Sequence, residues 1–135
     1  MKQPKNIGKS KISWVIEGVL ASSPRPGYAL ERVPRKIVDA WLQQLDRKKI
    51  RSVFCLLSDY ELRTYHQGYD LLEIYRNHGL QVVHFPVDDL SLDPASLLDA
   101  NAVELALLLP RPLLVHCSAG VVRTGSLIEK LVNTP

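Results

Sequence analysis

The chain has 135 residues, 46% of them apolar and 23% charged, which is one globular domain's worth of material and excludes a disordered tail, a collagen-like rod and a disulfide-stapled mini-protein. Two cysteines point to a reducing cytoplasm, and no apolar run reads as a membrane span or as a signal peptide behind the basic N-terminus. The net charge of +3 is uneven, with 12 Lys+Arg against 4 Asp+Glu in residues 1–51 and 5 against 10 in residues 52–135; aromatic residues are not interleaved with the basic ones, so this reads as solvated helix faces and not as a nucleic-acid footprint.

In chain order, residues 1–11 read as a flexible basic tail ahead of a single domain at 12–135. Ile12–Ile16 and Val19–Ala21 predict two short strands on either side of Gly18, and Ser22–Gly27 a turn-rich loop. Pro34 opens a helix running to about Lys49, because Ile37, Val38, Trp41, Leu42 and Leu45 recur at helical spacing. Arg51–Leu57 is almost continuously apolar, the mark of a strand buried on both faces. Ser58 and Glu61 stand three apart, as a capping box requires, and start a helix. Gly68–His78 predicts another, with Leu71, Leu72 and Tyr75 on one face and Gly79 ending it. Leu80–Phe85 reads as a strand. Asp93 and Pro94 then supply an N-cap and a first-turn proline for an apolar helix that continues over Leu97–Leu109. Pro110 and Pro112 stop it, Leu113–His116 is the last buried strand, and Gly120–Gly125 turns into a final helix.

Strands alternating with helices of this length imply an α/β fold: a central, mostly parallel sheet with helices on both faces. In such sheets the site lies beyond the carboxyl ends of the strands, where the chain places Ser58–Tyr60, Pro86–Pro94 and Cys117–Arg123.

The chemistry is concentrated in His116-Cys117-Ser118-Ala119-Gly120-Val121-Val122-Arg123-Thr124-Gly125. Successive backbone N–H groups in a strand-to-helix turn converge on an anion, and the helix adds its positive end. Cys117 opens this cradle; Ser118, Ala119, Gly120, Val121 and Val122 supply its amides. Arg123 closes it with a planar fork suited to two phosphoryl oxygens. Gly120 permits the tight backbone path. A thiol beside a helix N-terminus and a cation ionises more readily than a free one, and the thiolate is the nucleophile. Thr124 is placed to hydrogen-bond the sulfur, and His116 to fix the loop by hydrogen bonds without acting as a base.

This stretch, HCSAGVVRTG, resembles the HCxxGxxR(S/T)G signature of cysteine-dependent protein tyrosine and dual-specificity phosphatases. VFCLLSDYEL, YDLLEIYRNHGL and VVHFPVDD look like the kinase-associated phosphatase (cyclin-dependent kinase inhibitor type) group, so the similarity extends over residues 12–130. The resemblance implies a small dual-specificity type of protein tyrosine phosphatase fold, a phosphoprotein substrate and no metal or other cofactor. It also implies two-step phosphoryl transfer through a phosphocysteine: Cys117 attacks phosphorus, Arg123 holds the equatorial oxygens, and an aspartic acid protonates the leaving oxygen and then activates water. The family's acid stands on a loop upstream of the cysteine in a Pro-x-x-Asp context. Asp89, in Pro86-Val87-Asp88-Asp89, lies 28 residues before Cys117 and is the first choice, Asp88 the second; a carboxyl beside another carboxyl is also suited to act as an acid.

Three departures accompany the resemblance. Val122 stands where tyrosine-specific members often carry glycine. Asp89-Leu90-Ser91 replaces the Asp-Gly pair common in the acid loop. The chain stops at Pro135, ten residues after Gly125, where family members continue with further helices, so C-terminal helices are missing. The apolar stripe of Leu127, Ile128, Leu131 and Val132 then calls for one of three outcomes: the chain is a fragment, a partner chain covers the final helix, or the enzyme is weakened. The alternative function is accordingly a catalytically weak or inactive phosphate-binding regulatory module. A phosphoinositide phosphatase is disfavoured because the loop carries no lysine, and a sulfurtransferase because of Arg123-Thr124-Gly125 and the Asp89 spacing. Cys55 reads as a core cysteine; in some relatives a strand cysteine forms a reversible disulfide with the nucleophile. His66, His78 and His84 lack metal-ligand spacing. Trp14 and Trp41 read as core, Asp93 as a helix cap only, and Arg25 and Arg63 as candidates for substrate contact.

Overall fold

The computed structural model describes residues 10–89 and 93–134. Strands β1 (Ser13–Ile16) and β2 (Leu20–Ser23) pair antiparallel, joined by a turn in which Gly18 takes a positive φ of 75°. Helix α1 (Arg35–Arg47) leads to β3 (Ser52–Cys55), α2 (Asp59–Tyr65), α3 (Leu71–Asn77) and β4 (Gln81–His84). The short α4 (Pro94–Leu97) and α5 (Ala100–Leu107) precede β5 (Leu113–His116) and α6 (Val122–Val132). The sheet order is β1-β2-β5-β3-β4, with every pair but β1–β2 parallel.

Alternation along the central strands divides the core in two. Val53 and Cys55 of β3 and Leu114 of β5 point to a cluster with Val38, Trp41, Leu42 and Leu45 of α1 and Leu71, Ile74 and Tyr75 of α3. Phe54, Leu113, Val115 and Cys117 point the other way, to Leu98, Ala102, Ala106, Leu127 and Leu131. Helices therefore cover both faces of a mostly parallel sheet, and each face buries enough apolar area to make the short strands stable.

The register lines up the strand ends: His116 pairs with Ser23 on one side and with Cys55 on the other, and Cys55 pairs with His84. The segments that follow, starting at Pro24, Leu56, Phe85 and Cys117, thus emerge in one row at the carboxyl edge.

Local differences from the sequence reading have local causes. β2 extends to Ser23 because it pairs with β5 over its whole length. The helix predicted over Leu97–Leu109 is broken: Leu98 leaves helical geometry, and the Asp99 side chain accepts from the N–H groups of Asn101 and Ala102, capping a new helix. Ser10, assigned to the tail, is buried; its hydroxyl donates to Arg25 O and its carbonyl accepts from Gln44 Nε2 at 3.4 Å. Lys11 is exposed; residues 1–9 of the tail, and Leu90 and Ser91, lie outside the described residues.

Candidate active site

Cys117 follows β5 directly, and its sulfur accepts a hydrogen bond from the Gly120 N–H at 3.3 Å. The eleven-residue helix α6 starts at Val122, so its positive end faces the same loop. Gly120 has φ +79°, and a Cβ there would lie 2.7 Å from Pro24 N and 2.9 Å from the Ser23 carbonyl. The residue is glycine for both reasons: left-handed backbone and contact with a neighbouring segment. Ser118 is buried, Ala119 and Gly120 are half-buried, and Val121 and Val122 are 67% and 65% exposed, forming an apolar rim.

Arg123 is only 3% exposed and is gripped from α2. Its Nη1 donates to Glu61 Oε1 at 2.6 Å and to Val87 O at 2.8 Å, while Nη2 donates to Glu61 Oε2 at 2.9 Å. Glu61 serves two elements at once, because it also closes the capping box with the Ser58 N–H at 2.9 Å. Burial works against the charge on both groups, but it is outweighed. Hydrogen bonds and charge from Glu61 raise the Arg123 pKa, and Arg123 with Ser58 lowers that of Glu61. Local pattern reading missed this role of Glu61, since the cap explained the residue and its second partner lies 62 positions away.

Of the two acid candidates, Asp89 places Oδ1 3.1 Å from Arg123 Nη2 while remaining 67% exposed. Asp88 is exposed beside it. Both line a pocket of about 420 Å³ with Ser58, Tyr60, Glu61 and Tyr65. A larger groove, about 730 Å³, lies away from Cys117 between α5 and α6, lined by Val103, Leu107, Ser126 and Lys130 among others; it contains no residue of the signature. Within the stripe on α6, Leu127 and Leu131 are buried and Val132 is exposed.

His116 is fully buried. Its Nδ1 lies 3.0 Å from Cys117 O, and its Nε2 lies 3.0 Å from the Tyr75 hydroxyl. A carbonyl only accepts, so Nδ1–H donates to it and Tyr75 donates to Nε2. Burial, together with the charges of Arg123 and Arg25, lowers His116 to about 4. The ring therefore stays neutral and props the loop. The Thr124 hydroxyl is buried without a hydrogen-bond partner, so the bond to sulfur expected from the sequence is not made. Cys55 and Cys117 are both free and belong to the clusters on opposite faces of the sheet; burial pushes the Cys55 thiol up to about 12. Arg63 is exposed on the far side of α2 and lines a groove with His66 and Tyr69. Arg25 is buried against the loop that follows Cys117, its Nε–H donating to Ser118 Oγ.

A second buried histidine shapes the acid response. His66 Nδ1–H donates to the Tyr69 oxygen at 2.9 Å, and the Tyr69 hydroxyl donates to Val33 O. Burial lowers His66 to about 3. Both histidines have folded values below the ordinary one near 6.5, so the unfolded chain takes up two protons that the fold refuses. Stability is full above that value and is lost as pH falls through 6 toward 4. The slope is roughly 3 kcal/mol per pH unit. Urea titrations at pH 7.5, 6 and 5 followed by near-ultraviolet circular dichroism are expected to show this, and a flat profile would contradict it.

Comparison with known proteins identifies the family. Residues 29–134 match the family model described as a polymorphic toxin system, DSP-PTPase phosphatase. No curated protein matches the sequence. Among solved structures, kinase associated phosphatase with its catalytic-site cysteine replaced by serine superposes with a TM-score of 0.62 at 23% identity, over 86% of this chain and 67% of that one. The core catalytic domain of the PP-IP phosphatase SIW14 from S. cerevisiae gives 0.57 at 26% identity, over 92% and 67%. Tk-PTP, in a glycine-to-alanine form, gives 0.55 at 23% identity, over 90% and 70%. The chain therefore belongs to the DSP-PTPase family of polymorphic toxin systems and is a cysteine-dependent phosphatase of the tyrosine and dual-specificity type.

Proposed function

We propose that the protein hydrolyses phosphotyrosine, and less efficiently phosphoserine and phosphothreonine, in phosphoproteins through a phosphocysteine on Cys117. The observation that carries this reading is the donor count on Arg123. Both Nη1 hydrogens and one on Nη2 are committed to Glu61 and Val87. Nε–H has no hydrogen-bond partner among the described residues, and the second Nη2–H faces Asp89. The two donors left for a ligand lie on one edge of the guanidinium, which is the arrangement that holds two oxygens of a phosphoryl group. The tyrosine-walled pocket beside Asp89 supports an aryl leaving group, and the two free cysteines support a reducing, cytoplasmic setting.

In the first step the Cys117 thiolate attacks phosphorus as the bond to the substrate oxygen breaks, and protonated Asp89 gives its proton to that oxygen. In the second, Asp89 takes a proton from water as the water oxygen attacks phosphorus and the sulfur leaves as thiolate, releasing inorganic phosphate. Gly120 N–H stabilises the sulfur anion at both ends of the cycle. A phosphotyrosine peptide is expected to be cleaved at least about tenfold faster than the matching phosphoserine peptide, with radiolabel trapped on Cys117 after rapid quenching. A serine-preferring enzyme, or no Cys117 label, would refute the reading.

Asp89 and a bound phosphate compete for the same Nη2–H. Asp89→Asn is therefore expected to lower kcat about 10²–10³-fold while tightening inhibition by inorganic phosphate several-fold. Steady-state hydrolysis of p-nitrophenyl phosphate with added phosphate measures both, and unchanged kcat would return the acid role to Asp88.

A further inference from the structure

The residues that hold the phosphate loop from behind come from the end of β2 and the segment that follows it, and no local pattern singles them out. We infer that Arg25 is a positioning residue of the phosphate loop, fixing Ser118 by two bonds and lending the loop a second positive charge.

Arg25 touches Ser118 twice. Its backbone N–H donates to Ser118 O at 2.8 Å, and its Nε–H donates to Ser118 Oγ at 3.2 Å. The loop residue next to the nucleophile is thus held by main chain and side chain together. The neighbouring Ser23 and Pro24 backbone packs against Gly120 so closely that no Cβ fits between them. Residues 23–25 therefore brace both Ser118 and Gly120, the residue whose N–H binds the Cys117 sulfur.

The guanidinium is itself locked. Nη2 donates to Leu30 O at 2.7 Å, and the plane lies over the Tyr65 ring at 3.9 Å and near Tyr28 at 5.6 Å. Ser10 donates to the Arg25 carbonyl. Yet the residue is 2% exposed, its Nη1 has no partner, and among the described residues no carboxylate lies within ion-pair distance of it. Burial lowers its pKa, partly offset by the phenols of Tyr65, Tyr28 and Tyr69 and by Glu61. A buried cation without a carboxylate is costly. A structural brace for Ser118 could be made by a neutral amide at lower cost. The charge has a use where the loop receives anions: the Cys117 thiolate and then the phosphate dianion.

This assignment rests on the phosphatase reading only in naming phosphate as the loop's ligand, and its test needs no turnover. Cys117 is alkylated with iodoacetate, an anion, and with iodoacetamide, its neutral counterpart. Arg25→Gln is expected to lower the iodoacetate rate relative to iodoacetamide about tenfold, the effect of one unit charge at roughly 10 Å in an effective dielectric near 20. It is expected to weaken phosphate inhibition of alkylation by a similar factor. Arg25→Lys restores the ratio to within about twofold. A merely structural role would slow both reagents alike, so a folded Arg25→Gln with unchanged ratio and unchanged phosphate protection overturns the assignment. If Arg25→Gln does not fold, Arg25→Lys carries the test, since it keeps the charge but cannot bond Ser118 Oγ and Leu30 O together. A wild-type ratio and wild-type phosphate protection, kept while both reagents slow, support the assignment, and wild-type rates or a ratio that falls with them overturn it. A wild-type protein that shows the charge effect but hydrolyses no phosphate ester would refute the proposed turnover and leave Arg25 as assigned.

Discussion

Cys117→Ser is expected to lower kcat for p-nitrophenyl phosphate by about 10⁴-fold or more and to leave phosphate binding intact. The proposed mechanism gives the attack on phosphorus to sulfur: Ser118 Oγ is engaged by Arg25, and Thr124 is buried. His116 offers no base to a serine hydroxyl, because its two ring nitrogens are committed to Cys117 O and Tyr75 and burial lowers it to about 4. The recognition elements survive the change. Arg123 keeps its bonds to Glu61 and Val87, and the Gly120 N–H keeps a polar atom in front of it. Removing the thiolate also removes an anion from the cradle, so inorganic phosphate is expected to bind the variant at least as tightly. Steady-state kinetics and calorimetric phosphate titration of the same preparations check both halves. Retained turnover in the serine variant would place the nucleophile elsewhere.

Glu61→Ala is expected to cost about 3–5 kcal/mol of stability, because it strands a buried guanidinium that has lost its bidentate partner. The same variant also loses the capping box at the start of α2. Activity falls with it: Arg123 is oriented by Glu61, and a loosened fork is expected to lower kcat/KM by about 10²-fold. Glu61→Gln keeps an acceptor for Arg123 and falls between. The variants separate charge from capping. Adding Arg123→Met to Glu61→Ala removes the stranded charge, so the double variant is expected to be more stable than Glu61→Ala alone while remaining inactive. Denaturant midpoints for the wild type, Glu61→Ala, Arg123→Met and the double variant form the cycle, and additive effects would show that the pair is not coupled. The pH dependence has a definite sign. The folded Glu61 value is depressed, so its contribution is complete above the ordinary glutamate value of about 4.3 and is lost as pH falls through the folded one.

How far each feature was legible in the sequence follows from the range of the interaction behind it. The strand-to-helix loop from Cys117 to Arg123, the capping box at Ser58 and Glu61, the cap at Asp93 and the alternation of strands and helices depend on neighbours within a few positions, so spacing alone reveals them. The α/β class and both faces of the sheet follow from that alternation and from the apolar runs in β3 and β5. Boundaries were less legible where two signals competed. Apolar composition ran through Leu98 and Asp99, but the Asp99 side chain satisfied the amides of a new helix and ended the old one.

Tertiary structure alone decided which polar residues meet. Glu61 reaches Arg123 across 62 positions and Tyr75 reaches His116 across 41, because parallel pairing of β3 with β5 and packing of α3 on the sheet bring them together. Arg25 turned from a candidate for substrate contact into a buried brace for Ser118, 93 residues away, once β2 paired with β5. No local pattern encodes such partners, since the energy that selects them is the desolvation of a charge inside a core that exists only after the strands have found their order.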